Sequence, residues 1–159
     1  MDLASIAPAF VEMAHGIVWA TVATVDEQGR PWTRILHPIW VWEDGTLTGW
    51  IGTGPTKVKR DHLEHHRFVS ATYWSPSHDT CTAECEAELL YDDAIRTEVW
   101  NRFRDGPEPV GYDPAIIPAW TSPTADTFAA LKLTPWRLQV QPRAVLLENR
   151  ADLRLTWQR

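Results

Sequence analysis

The sequence predicts a mainly β, antiparallel fold with linking helices, and three observations carry the prediction. Apolar and β-branched residues alternate with period two over several short runs, turn-forming Asp, Gly and Pro residues separate those runs, and few segments show helical spacing. Short antiparallel strands leave hydrogen-bonding edges open, and curling the sheet into a small barrel protects them. The 159 residues suit one domain over 1–159, long enough to bury a core without disulfides or metal.

Leu3, Ile6, Phe10 and Met13 recur at helical spacing and His15-Gly16 offers a stop, which predicts a short first helix. Residues 17–25 are rich in β-branched side chains, Asp26-Glu27-Gln28-Gly29 is a turn, and 32–42 is a second extended run, so the two form a hairpin. Alternation puts Trp32, Arg34, Leu36, Trp40 and Trp42 on one face and Thr33, Ile35, His37, Ile39 and Val41 on the other, with both faces covered. Pro38 marks an edge or a bulge in that run. Glu43-Asp44-Gly45 then turns the chain into a third strand, 46–53, and completes a three-strand meander.

Residues 55–66 read as a helix with Val58 and Leu63 facing inward. Strands over 67–74 and 81–91 form a hairpin about Ser75-Pro76-Ser77-His78-Asp79. In the second of these, Cys81 and Cys85 share a face four residues apart, a span of roughly 13 Å that no disulfide bridges, so both read as small buried hydrophobes. Glu84, Glu86 and Glu88 occupy the other face, toward water or cationic partners. Asp92 caps a helix carrying Ile95, Val99 and Phe103, which Asp105-Gly106-Pro107 stops. Residues 105–125 hold Pro107, Pro109, Pro114, Pro118 and Pro123 with Tyr112 and Trp120, the composition of a long ordered loop suited to covering a site. Strands at 128–140, bent or at an edge near Pro135, and around Leu153, Leu155 and Trp157 complete the set.

A formal charge of −6 and a pI near 5.4 argue against general affinity for nucleic acid or an anionic membrane, since both demand a cationic surface. The start lacks the cationic region of a signal peptide and no apolar run is long enough to span a bilayer, so a cytoplasmic location is expected. Ten tryptophans supply broad aromatic surface for a ligand site or a subunit interface.

Against that acidic background, Trp50-Ile51-Gly52-Thr53-Gly54-Pro55-Thr56-Lys57-Val58-Lys59-Arg60 stands out. Glycines admit an anion close to the backbone, hydroxyls and N–H groups donate to its oxygens, and Lys57, Lys59 and Arg60 supply opposite charge, so the stretch suits a phosphate; a solvated turn opening a helix reads equally well from these residues alone. No catalytic residue is identified. There is no Gly-x-Ser-x-Gly, and neither cysteine has flanking cations to stabilise a thiolate. His62, His65 and His66 read as a solvated helix face in preference to a metal site, and His37 and His78, near strand ends, suit either a ligand contact or a structural role. Cations without a catalytic constellation suit a cofactor enzyme, whose protein part binds and orients.

The succession Gly29-Arg30-Pro31-Trp32-Thr33-Arg34-Ile35-Leu36-His37-Pro38, then 47–53, Lys57-Val58-Lys59, Leu63 and Arg67-Phe68-Val69-Ser70 resembles the pyridoxamine 5′-phosphate oxidase-like FMN-binding split barrels, a family that includes enzymes using the deazaflavin F420. The likeness is best over 17–74 and is supported by Leu133-Thr134-Pro135-Trp136-Arg137-Leu138. It implies a split β-barrel, a homodimer with cofactor sites at the subunit interface, FMN or alternatively F420 as cofactor, and hydride exchange with a small-molecule substrate. Carried over by position, Arg34 and Leu36 fall in the Arg-x-Leu-type strand motif, Thr53 at the next strand end, and Lys59 at the Lys by the helix, with Val58 and Arg60 beside it. Lys57 stands where many relatives have Ser, and Trp50, Ile51 and Gly52 offer surface to the isoalloxazine. The C-terminal substrate segment of the vitamin B6 enzyme has no counterpart in Leu155-Thr156-Trp157-Gln158-Arg159. The alternatives are a non-catalytic cofactor- or haem-binding protein on the same barrel and a structural dimer.

Overall fold

A computed structural model describes residues 1–159. The elements are α1 (Leu3–Ile17), β1 (Ala20–Val25), β2 (Pro31–Leu36), β3 (Ile39–Glu43), β4 (Thr46–Thr53), α2 (Lys57–His65), β5 (Phe68–Trp74), β6 (Thr80–Leu90), α3 (Asp93–Arg104), β7 (Ala129–Gln141), α4 (Arg143–Leu147) and β8 (Leu155–Gln158). Every strand pairing is antiparallel. The strands run β2-β1-β5-β6-β7-β4-β3 across one sheet, and β8 pairs with the far half of β7. No helix is long and apolar enough to cross a membrane.

The expected meander does not form, and the reason lies at His37-Pro38. The run 32–42 is two strands: β2 pairs with β1 at one end of the sheet, while β3 pairs with β4 at the other. Pro38 has no N–H to donate and biases His37 away from continuing the same ladder. Only these two residues separate β2 from β3, so the Cα atoms of Leu36 and Ile39, three links of about 3.8 Å apart, lie within about 11 Å of each other. Such a splice requires the sheet to curl until its two ends approach. The barrel is therefore split: β2 and β3 do not pair, and the sheet is not closed by hydrogen bonds. As an outer strand β2 is uncovered, with Trp32 47% and Ile35 60% exposed, which corrects the expectation that both its faces are buried.

Alternation along the inner strands builds the main core. Val69, Ala71 and Tyr73 of β5 meet Cys81, Ala83, Cys85 and Ala87 of β6, and α1 adds Ile6, Ala7, Phe10 and Ala14. Phe10 meets the Trp40 ring edge-on at 4.9 Å, and the Trp40 indole N–H donates to the Tyr73 hydroxyl over 2.8 Å. Both cysteines are free thiols inside this core, and burial pushes the pKa of each up. Opposite Pro135 the β6–β7 register shifts between Glu84 and Cys85, the expected bend. Glu84 pairs with Arg137, and Glu86 with Arg159 and Arg67. The short α4 escapes prediction because five residues show no periodicity; its Arg143 N–H donates to Asp79 over 2.8 Å.

A second cluster forms where α3 and the following loop pack against the sheet, joining Val99, Trp100 and Phe103 to Ile39, Trp120, Phe128 and Ala130. The loop doubles back tightly, and a Cβ on Gly111 would lie 2.0 Å from the Gly106 carbonyl oxygen. Only glycine fits that approach.

Candidate functional site

The end of β4 and the first turn of α2 meet the β1–β2 edge in a cradle of polar groups. Thr24 is reached by strand alternation: it shares the inward face of β1 with Ala20 and Val22 and is itself buried. Its hydroxyl accepts from Arg34 Nη2 over 2.8 Å and lies 2.8 Å from His62 Nδ1. Thr53 closes β4, and Thr56 caps α2 by accepting from the Lys59 N–H. One turn into the helix, Lys59 extends back to the strand, where Nζ donates to the Thr53 hydroxyl and, over 2.8 Å, to the Gly54 carbonyl.

Two cations are thus held in a partly dry site without a carboxylate partner. Lys59 is only 6% exposed, and burial, reinforced by the Arg34 guanidinium, lowers its pKa to about 8. Burial also lowers that of Arg34, whose Nη1 is buried with no hydrogen-bond partner. An unpaired buried donor is costly unless a ligand satisfies it. Two neighbouring cations, an orphaned guanidinium nitrogen and a threonine hydroxyl form a donor set that fits a phosphate oxyanion.

The other residues singled out in the sequence divide. Leu36, Gly52 and Thr53 line a cavity of about 490 Å³ beside the cradle, walled further by His37, Tyr112 and Trp120. Residues of the Pro-rich loop, among them Pro109, Tyr112 and Trp120, thus line this cavity. Ile51 lies in the main core, and Trp50 is half-buried with the Lys132 ammonium 5.9 Å from its ring. Gly52 is required by packing, since a Cβ there would lie 2.8 Å from Phe128 Cε2. Lys57 is exposed and pairs with Asp61, and Arg60 donates to the Pro55 carbonyl over 2.6 Å. Val58 is 45% exposed and does not face inward; the buried positions of α2 are Lys59 and His62, because Lys59 turns to Thr53 and His62 to Thr24. His62 is accordingly no part of a solvated face. Thr24 went unnoticed in the sequence; its one signal is a hydroxyl at an inward position of an apolar strand.

The fold has counterparts among solved structures. A pyridoxamine 5′-phosphate oxidase-related, FMN-binding protein from Nostoc punctiforme superposes with a TM-score of 0.69 at 17% identity, over 100% of this chain and 99% of that one. A Clostridium acetobutylicum protein related to general stress protein 26, of the pyridoxinephosphate oxidase family, gives 0.70 at 14% identity, over 97% and 94%. An F420 reductase gives 0.55 at 16% identity, over 81% and 94%. At these identities the likenesses show the fold alone. No curated protein matches the chain. The family model described as pyridoxamine 5′-phosphate oxidase, however, matches residues 6–142, and the chain belongs to that family.

Proposed function

We propose that the protein is a flavin- or deazaflavin-dependent oxidoreductase acting on a small organic substrate. The single observation that carries this reading is the buried, unpartnered Arg34 Nη1 beside Lys59, a cationic pair with no acid to neutralise it. FMN and F420 share the chemistry that such a cradle recognises: a phosphate oxyanion on a flexible chain, with a flat ring at the other end. Arg34, Lys59 and Thr53 hold the phosphate, and Thr24 and His62 fix the guanidinium in place. The β4 end receives the ring, with Leu36 and Gly52 beside it along one wall of the adjoining cavity, which leaves the His37 side of that cavity for a substrate. When bound, the ring system supplies two-electron hydride chemistry. The protein's own part is to neutralise the phosphate, orient the ring and keep water from it under the loop that carries Tyr112 and Trp120. The FMN-binding and F420-reducing fold relatives support the cofactor class. The family and the uncovered β2 edge support a homodimer, in which a second copy shields Trp32 and Ile35.

Titrating the protein with FMN and with F420 tests the reading. At least one is expected to bind, with a visible spectrum that distinguishes the two from each other and from haem. Lys59→Ala and Arg34→Ala each remove a charge-assisted contact worth about 1.5–3 kcal/mol, or roughly ten- to a hundredfold in affinity. If neither cofactor binds, the oxidoreductase reading is lost; unchanged affinity in Lys59→Ala removes that residue from the site.

A further inference from the structure

His37 occupies the break between β2 and β3 and lines the 490 Å³ cavity. It is 7% exposed, yet neither Nδ1 nor Nε2 has a hydrogen-bond partner. Its ring is held through carbon surfaces alone. Tyr112 stacks on it at 5.3 Å and 25°, Phe103 meets it edge-on at 5.5 Å, and Trp19 lies tilted at 5.0 Å. Burial, with His15 nearby, lowers its pKa to about 4, so at neutral pH the ring is uncharged, with one N–H donor and one acceptor. Burying both without partners is unfavourable, and the apolar walls of the cavity include Ile117 and Trp120. Of the three rings around His37, Trp19 is the most exposed. It is 59% exposed, and it follows Val18, a β-branched residue at φ 74°, ψ −60° whose flanking residues close a three-residue turn, Trp19 N–H to Ile17 carbonyl at 3.0 Å.

We infer that the His37 side of this cavity binds a flat, uncharged aromatic substrate carrying a hydroxyl, carbonyl or ring nitrogen at its edge, and that His37 recognises this polar edge once Trp19 swings aside. The volume lies within the range of small-molecule sites, and apolar walls with one convergent polar group are what orient such a ligand. A charged substrate is disfavoured, since no ionised group lines this cavity. The assignment rests on the reading of the neighbouring cradle as the cofactor site, because that reading brings the cofactor ring to the side of this cavity lined by Leu36 and Gly52, where a reacting substrate meets it.

The probes are 2-naphthol and naphthalene, equal in shape and differing by one hydroxyl, titrated by tryptophan fluorescence against the full chain with and without FMN. In the wild type 2-naphthol is expected to bind about tenfold more tightly than naphthalene, and His37→Phe to erase that preference while naphthalene still binds. A preference that survives His37→Phe overturns the assignment. A measurement free of substitution runs alongside: in nitrogen NMR of the wild type, 2-naphthol is expected to shift the His37 ring nitrogens, and unshifted nitrogens refute the contact. If FMN binds and excludes 2-naphthol, the cavity belongs to the cofactor ring and the inference falls while the cofactor reading stands. If 2-naphthol binds through His37 but neither FMN nor F420 binds, recognition by His37 is upheld and the oxidoreductase reading fails.

Discussion

Lys59 keeps its charge in a place that disfavours it, and its titration follows. Its pKa in the folded chain, about 8, is below its usual 10.5, so between those values the unfolded chain binds more protons than the folded one. Stability of the ligand-free protein is therefore expected to rise with pH across that window, and in urea melts the stability difference between wild type and Lys59→Met should change with pH across that window and stay constant outside it. FMN affinity is expected to run the other way: a phosphate held as proposed needs the ammonium, so binding should weaken above about pH 8. Thr24→Val removes the acceptor for Arg34 and the partner of His62, and a loss of about 1–2 kcal/mol in FMN binding is expected by fluorescence titration. Arg34, Thr53 and Lys59 were legible in the sequence because cations and hydroxyls around glycine are conspicuous in an acidic chain. Thr24 and His62 were not, since their role depends on which strand and helix faces meet, and that is settled by packing across 38 residues of sequence. His37 was legible only as a histidine near a strand end, because its neighbours Trp19, Phe103 and Tyr112 come from three other segments.

Among the elements, the loop after α3 and the turn before β1 carry the most specific expectations. Gly111→Ala places a methyl carbon against the Gly106 carbonyl and must prise the loop from its seat. The expected result is faster proteolysis within 105–120 and weaker 2-naphthol binding, with FMN affinity reduced less, since the cradle stands on β1, β2, β4 and α2. Val18→Gly relieves a left-handed β-branched residue and is expected to raise stability by about 1 kcal/mol in urea denaturation, the strain released exceeding the extra freedom of the unfolded chain. Element identity was legible wherever periodicity ran long, as in α3 and β6. It failed at 32–42, where unbroken alternation concealed two strands; Pro38 gave the signal, but whether a proline bends a strand or ends it depends on partners that alternation does not reveal.

At the scale of the molecule, the uncovered β2 edge and the cradle share Arg34, so association and cofactor binding are expected to be linked. Ile35→Glu should halve the mass seen in sedimentation and weaken FMN binding; a dimer unaffected by the charge would place the interface elsewhere. The splice at His37-Pro38 also governs how the chain assembles in time. β2 docks on β1 and β3 on β4 through short local turns, but the two hairpins join into one sheet only when β5, β6 and β7 have been laid down between them. Most of the pairings that secure the seam are distant in sequence, which predicts slow folding. The two edges, at opposite ends of the ladder, then come free in the same opening event, so the amide hydrogens of β2 and β3 should exchange at one common rate although no hydrogen bond joins them.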